Sequence, residues 1–582
     1  MTMDGERNVS IVSVVSRGDD VLRVLDTNVR KMSVINPDLA EQNKNARSAT
    51  EREHNMTVKE CLRLYPKAVA FSLIFSTAII MEGYDTALLG SFWGFKPFRN
   101  RFGDQIDISP NASPGDRVVS SKWQTSVGAA TSCGQILGLY LNGWISDKIG
   151  YKKTMFGSLI LMSAMIFIPF FSQNIETFLV GAIFQGIPWG VFQTLTTTYA
   201  SEVAPVKIRA YLTTYVNLCW VIGQLLAAGI LKGFLARDDH WAYKIPFAIQ
   251  WVWPPLILIG VIYAPESPWW LVRKGRLEDA EKSLLRLTSK GSGVDFNVHD
   301  QVMMMKATNE LEMAISSGTQ YWDCFRGTDL RRTEIASVAW LAQAFCGAAL
   351  IGFAVQVYQR AGLADSNAFS LNIGQSAMGA VGTILSWFLM QYAGRRTTYL
   401  WGLGTMFVIL VIIAGLGFAG ENDAGASWGV GSLLMVYTFV YDLTVGPVCY
   451  CLVAEIPSTR LKIKTVVLAR NFYNIGGIIN SALVPAMLGV HAWNWGPRSG
   501  LFWAGCCFLL WVWSYFRLPE PKGRTYGELD VLFEHKVSAR KFASTKVDQF
   551  AGEHTNIFQI DSDDNSTKKY IGQYEEREKQ GV

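Results

Sequence analysis

Four ionisable residues stand where an apolar chain has least use for them. Glu82 and Asp85 lie near the outer end of an apolar run over 68–90, Asp442 lies within one at 429–453, and Arg470 falls about two turns into one at 466–489. A charge in hydrocarbon is expensive, so such a residue is a functional candidate by default. Glu82 and Asp85 are three apart and therefore share one face of a helix. Crowding and burial both favour the neutral form of a carboxyl, which makes this pair able to load a proton near neutral pH. The chemistry these residues offer is proton binding inside a membrane.

Composition asks for the same setting. Half of the 582 residues are apolar and 17% are charged, against roughly 25% charged in soluble domains. The 20 Trp, 21 Tyr and 32 Phe fit a chain whose aromatic side chains collect where bilayer meets water. A net charge of +5 is small for this length and unevenly placed, so nucleic acid is not expected as a partner. Most of the nine cysteines, among them Cys133, Cys219, Cys449, Cys451, Cys506 and Cys507, fall inside apolar runs. That is neither a disulfide framework nor a zinc site. No nucleophile–base set, metal cluster or phosphate loop is visible, so neither an enzyme nor a cofactor is expected.

A span needs roughly 20 apolar residues to cross the hydrocarbon. Twelve runs qualify: 68–90, 123–145, 154–172, 177–200, 211–231 and 245–264, then 334–356, 369–392, 398–418, 429–453, 466–489 and 499–518. The expected fold is an all-α polytopic membrane protein with twelve transmembrane helices in two pseudo-symmetric halves of six. Its parts are a disordered tail 1–67, a half 68–264, a polar linker 265–333 with short helices, a half 334–518 and a tail 519–582. The first 67 residues show no cleavable signal, so the first span itself directs insertion.

Orientation follows from Lys and Arg in the short loops. Lys148, Lys152 and Lys153 follow span two, Lys207 and Arg209 span four, Arg395 and Arg396 span eight, and Arg460, Lys462 and Lys464 span ten. Even-numbered spans then end in the cytoplasm, with both termini there. The first outward loop holds a glycosylation sequon at Asn111; those at Asn8, Asn55 and Asn565 face the cytosol. Two echoes support an internal repeat. Asp147-Lys-Ile-Gly-Tyr-Lys-Lys153 corresponds to Gln391-Tyr-Ala-Gly-Arg-Arg396, and Ser201-Glu-Val-Ala-Pro205 to Ala454-Glu-Ile-Pro457. Paired motifs in two six-helix halves place a substrate near the midplane between them.

These residues also carry a resemblance. Gly143-Trp-Ile-Ser-Asp147-Lys148-Ile-Gly-Tyr-Lys152-Lys153 looks like the loop signature of the major facilitator superfamily. Glu202 with Arg209, Pro265-Glu266-Ser-Pro-Trp-Trp-Leu271 and Pro519-Glu-Pro-Lys-Gly-Arg-Thr525 resemble the sugar porter set. The cytoplasmic groups Asp147, Lys148, Lys152, Lys153, Glu202, Arg209, Glu266, Arg395, Arg396 and Glu455 then form a conformational gate, pairing when the halves close there. Met81-Glu-Gly-Tyr-Asp-Thr-Ala-Leu-Leu-Gly-Ser-Phe92, Pro246-Phe-Ala-Ile-Gln-Trp251 and Ala539-Arg-Lys-Phe-Ala-Ser-Thr545 narrow the likeness to fungal proton-coupled α-glucoside (maltose) permeases, from about Thr57 to Val547.

The resemblance implies a plasma-membrane transporter, expected to be a monomer, that imports a maltose-like disaccharide with protons by alternating access. It maps sugar contacts to Asn217, Gln224, Gln343, Tyr450, Tyr473 and Asn474. Amides suit the hydroxyl edge of a sugar and aromatics its faces, although an intramembrane amide serves equally to bond neighbouring helices. It assigns proton coupling to Glu82, Asp85 and Arg470. Ala344 and Ala349 stand where hexose porters often carry Gln and Asn, which would leave room for a second ring. Gln135 stands where α-glucoside permeases usually have Glu, and Asp442 where they have a neutral residue. Asp442 either replaces the missing acid in part or is a structural hydrogen-bonder. A facilitator, a carrier of another glycoside or secondary metabolite, and a non-transporting sugar sensor remain as alternatives.

Overall fold

The computed structural model describes residues 56–108, 112–289, 296–316, 320–419, 423–458, 461–522, 524, 529, 532–547 and 557–559. Each apolar run forms a helix, because backbone in hydrocarbon must satisfy its own N–H and C=O groups. Span one is Pro66–Phe92, span two Ser121–Ile149, and span three Tyr151–Met165 continued by Phe167–Phe171. Span four is Ile175–Val203, span five Val206–Phe234, and span six Trp241–Ile249 joined through a 3-10 turn to Trp253–Tyr263. Span seven comprises Gly327–Phe345, Ala349–Gly352 and Ala354–Arg360. Span eight is Asp365–Tyr392, span nine Arg395–Phe418, and span ten Ala424–Leu443 with Val445–Glu455. Spans eleven and twelve are Lys462–Leu488 and Gly500–Arg517.

Among the described residues, nine of these are long and apolar enough to cross a membrane. Spans two, seven and eleven fall short because they carry the polar groups that meet inside the bundle, such as Gln135 and Asn142, Gln343, and Arg470, Asn474 and Asn480. Spans two and eleven pack together, as do five and eight, and these pairs form the seam between the halves. Large apolar side chains such as Phe388, Trp401, Ile412, Leu509 and Phe516 remain exposed on the outside, as lipid-facing positions require.

Two spans break where their sequence demands it. Pro447 has no N–H to return to residue 443, and span ten turns at Thr444 (φ −122°, ψ −81°). Span seven breaks at Gly347, whose φ of +105° suits glycine. The Cys346 carbonyl freed there accepts a 2.9 Å hydrogen bond from the Tyr437 hydroxyl.

At the end of the bundle away from the linker, the two halves bond one another. Ser121 donates to the Pro485 carbonyl at 2.8 Å, Gln359 to the Gly94 carbonyl at 2.9 Å, and Lys232 to the Ser366 hydroxyl at 2.6 Å. Gly90 lies against the Gly352 carbonyl and brings spans one and seven into backbone contact, so that a Cβ on Gly90 would not fit.

The expected tails begin later and end earlier than read from composition. Val58–Leu64 is a helix, capped by Thr57 and Glu60, whose Cys61 and Leu64 are buried. After span twelve, Leu532, Phe533 and Phe542 are buried beneath the second half. The Arg332 guanidinium lies 4.4 Å from the Phe533 ring, and Arg331 donates to the Val537 carbonyl at 2.9 Å. Among its described residues the linker holds the α-helices Pro268–Arg273, Leu277–Leu287 and Val298–Ser316 and the 3-10 helix Tyr321–Phe325. The four sequon asparagines and the tails' outer parts, 1–55 and 560–582, lie outside the described residues.

Candidate functional site

Span one is pinned to span five by Gly83 and Gly223, each facing main-chain carbonyl oxygen of the other helix. Such close small-residue packing fixes the neighbouring side chains. It leaves Glu82 at 2% and Asp85 at 1% exposure, so neither carboxyl is an interfacial group at the outer end. Both turn toward span four. Gln193 Nε2 donates to Glu82 Oε1 at 2.6 Å, and the Trp189 indole N–H donates to Asp85 Oδ2 at 3.1 Å. The other oxygens, Glu82 Oε2 and Asp85 Oδ1, are buried without a hydrogen-bond partner among the described residues.

Arg470 enters this group from the other half. Its Nη2 donates to Gln193 Oε1 at 2.7 Å, and its guanidinium lies 4.5 Å from the Trp340 ring and 4.6 Å from the Tyr473 ring. Trp340 packs edge-on against Tyr450 at 4.9 Å between ring centroids, and against Tyr473 at 5.3 Å. The acid pair, the base and two expected sugar-facing aromatics are therefore one connected cluster. Gln193, Trp189 and Trp340 were not picked out from the sequence. Gln193 answers to the same test that found the acids, a polar group inside a span, whereas nothing marks Trp189 or Trp340 among so many aromatics.

The remaining expected sugar contacts divide. Gln343 donates to the Gly446 carbonyl at 2.8 Å, in the broken part of span ten. Gln224 is half-buried on span five, and Asn474 is buried with its amide nitrogen unpartnered among the described residues. Asn217 reaches the Thr383 hydroxyl at 3.4 Å and also hydrogen-bonds Asp442. Asp442 is 6% exposed and lies against Gly379, where a Cβ would come within 2.6 Å of Oδ2. The structure thus sets Asp442 beside Asn217 and Thr383, while Arg470 faces Gln193 and the aromatics. Ala344 does not line open space: it is buried opposite Gly476, where a Cβ would come within 3.1 Å of its own. Asn480 donates to its carbonyl at 2.9 Å. Ala349 is half-buried.

The carboxylates of the gate set are held by their own half or by the adjoining linker. Glu202 binds Arg273 at 2.7 Å and Asp147 binds Lys274 at 3.1 Å. Glu202 also accepts from Tyr151 at 2.9 Å and from Ser267. Glu266 accepts from the main-chain N–H groups of Tyr151 and Lys152 at the start of span three; burial pushes its carboxyl above the usual range against those hydrogen bonds. Lys152 Nζ donates to the Ile262 carbonyl at 2.6 Å, Lys148 sits 4.0 Å from the Trp144 ring, Lys153 is exposed and Arg209 half-buried. In the second half, Glu455 pairs with Arg395 at 3.2 Å, and Glu520 accepts from the backbone N–H groups of Arg395 and Arg396. These carboxylates hold helix ends and linker segments beside their own half.

A family model described as "Sugar (and other) transporter" matches residues 71–533. Maltose permease MAL31 of Saccharomyces cerevisiae is 43% identical over 520 residues, 88% of this chain and 84% of that permease. The general alpha-glucoside permease of the same yeast is 42% identical over 509 residues, 87% and 81% of the two chains. Among solved structures, the proton:xylose symporter XylE bound to 6-bromo-6-deoxy-D-glucose superposes with a TM-score of 0.64 at 20% identity, covering 81% of this chain and 99% of that one. A partially occluded inward open form of XylE from E. coli gives 0.61 at 19%, covering 79% and 100%. At that identity the likeness speaks for the fold, the two-halved major facilitator architecture.

Proposed function

Because the chain belongs to the sugar (and other) transporter family, we propose that it imports an α-glucoside disaccharide, maltose-like in size, together with protons by alternating access. The observation that carries this reading is the cluster in which Glu82 and Arg470, from opposite halves, share Gln193 beside Trp340, Tyr450 and Tyr473. A proton site and a sugar platform joined in this way can respond to one another.

In this reading Asn217, Gln224, Gln343 and Asn474 bond sugar hydroxyls, while Tyr450 and Tyr473 cover a ring face. Glu82 and Asp85 load the proton and Arg470 balances their charge. Asp442, hydrogen-bonded to Asn217, adds a second acid next to the sugar rather than next to Glu82. The cytoplasmic groups from Asp147 to Glu455 re-pair across the halves when the inner side closes. The protein acts as a monomer in the plasma membrane with both termini cytoplasmic, as its loop charges ask.

Uptake of labelled maltose, sucrose, trehalose and glucose in a transporter-null yeast, with external pH recorded together, tests the proposal. Accumulation of a disaccharide with alkalinisation of the medium is the expected result. Equilibration without proton influx would leave a facilitator, the reading that Gln135 favours by standing where an acid is usual.

A further inference from the structure

Among the described residues, Gln193 is the side chain that bonds both charged members of the cluster, and its chemistry gives it a direction. Arginine carries donors alone, so the amide oxygen of Gln193 must face Arg470 and its NH2 must face Glu82. The distances of 2.7 Å and 2.6 Å agree with that assignment. The titratable and charged groups around Glu82 are Asp85 on its own helix, Arg470 on span eleven, Tyr450 on span ten and Tyr473 on span eleven.

We infer that Gln193 is a positioning residue that relays the protonation state of Glu82 to Arg470, and through it to the aromatic platform for sugar. The inference rests on the proton-coupled reading above. With Glu82 ionised, the amide donates to a carboxylate, and such a charge-assisted hydrogen bond is roughly twice as strong as a neutral one. The chain Glu82–Gln193–Arg470 then ties spans one and four of the first half to span eleven of the second. A proton arriving at Glu82 Oε2, the unpartnered oxygen, turns the carboxylate into a neutral acid and leaves from the same atom. The amide keeps all its protons throughout. Protonation therefore weakens the tie without breaking the backbone packing around it, and it frees Arg470 to shift against Trp340 and Tyr473. Sugar on that platform and a proton on Glu82 become linked events, and by linkage each changes the affinity for the other.

The test uses the full-length protein in lipid nanodiscs and measures maltose binding at mildly acidic and mildly alkaline pH. Wild-type affinity should change with pH by at least about fivefold, as loss of a charged hydrogen bond allows. Gln193→Leu should bind maltose with an affinity independent of pH, and so should Gln193→Met, which keeps the volume if the leucine variant folds poorly. The double exchange Glu82→Gln with Gln193→Glu returns an acid, an amide and the arginine to one chain, and should restore part of the pH dependence. A wild-type pH response retained in the single variants overturns the relay and leaves proton coupling standing. A wild type that binds maltose without pH dependence and takes up no protons overturns the proton-coupled reading itself.

Discussion

The Gln343 amide donates to the main-chain carbonyl of Gly446, 2.8 Å away, at the break in span ten. One of the amide's two N–H donors is therefore taken by the protein, which leaves the second N–H to donate and the oxygen to accept. The Gln224 side chain, half-buried on span five, makes no hydrogen bond among the described residues. Alanine at Gln224 should weaken maltose transport affinity by at least about fivefold, the effect of removing one to two hydrogen bonds from a polar site. Alanine at Gln343 should do the same and in addition lower thermal stability, because it removes the hydrogen bond that ties span seven to the break in span ten. Uptake kinetics beside melting of the purified variants check this; unchanged affinity in both would move the sugar elsewhere.

The two alanines of span seven should behave differently. Ala344→Gln must push a long side chain against Gly476, and overpacking of this kind costs roughly 1–3 kcal/mol. Reduced surface expression is expected. Ala349→Asn, at a half-buried position, should leave expression intact and reduce maltose uptake more than glucose uptake. Equal responses of the two sugars would dismiss Ala349 as a selector of size.

Coupling should depend on Asp85. Moving a bare carboxylate through closure costs several kcal/mol, so Asp85→Asn is expected to abolish accumulation against a gradient while permitting downhill exchange. Asp442→Asn separates two roles. A coupling acid lost there should lower the proton-to-sugar ratio or shift the pH optimum, with Gln135→Glu restoring part of it. A structural hydrogen-bonder would be replaced by Asn with little change, since the bond to Asn217 can be remade. Paired proton and sugar fluxes decide between them.

The segment after span twelve should matter to stability. Phe533 and Phe542 are buried and face Arg331 and Arg332 at the base of span seven. Truncating a buried Phe to Ala typically costs about 3–5 kcal/mol, so Phe533→Ala should lower the melting temperature and leave maltose affinity unchanged. A melting temperature equal to wild type would show that the segment is not docked in solution.

The loop between spans one and two should loosen in acid. Asp116 is held against Lys96 at 3.2 Å and accepts from Asn100 and from the Ser113 N–H. Burial pushes its carboxyl up, but these hydrogen bonds and the Lys96 charge outweigh it, so it lies below the usual range. A depressed carboxylate stabilises above its unfolded value, about 3.9, and that contribution is lost as pH falls through the folded value below it. Limited proteolysis of the loop should accelerate in that window for wild type, and Asp116→Asn should already be cleaved faster at neutral pH.

The sequence by itself determined that this chain crosses a membrane many times in two related halves, because twenty-residue apolar runs have no other stable home and the echoed loop motifs repeat at matching places. It also marked Glu82, Asp85, Asp442 and Arg470, since intramembrane charge is visible without coordinates. Spans two, seven and eleven were read as runs like the others, although the groups that face inward dilute their apolar pattern. What tertiary structure alone decided is which polar groups meet. Gln193 stands more than a hundred residues from Glu82 and more than two hundred from Arg470 in the chain, yet bonds both. Ala344 reads as an opening in the sequence and is a packing contact in the fold. Neither fact has a local signal, because it depends on how helices from two halves are rotated and pressed together, and that is set by glycine contacts, proline breaks and the summed fit of the whole bundle.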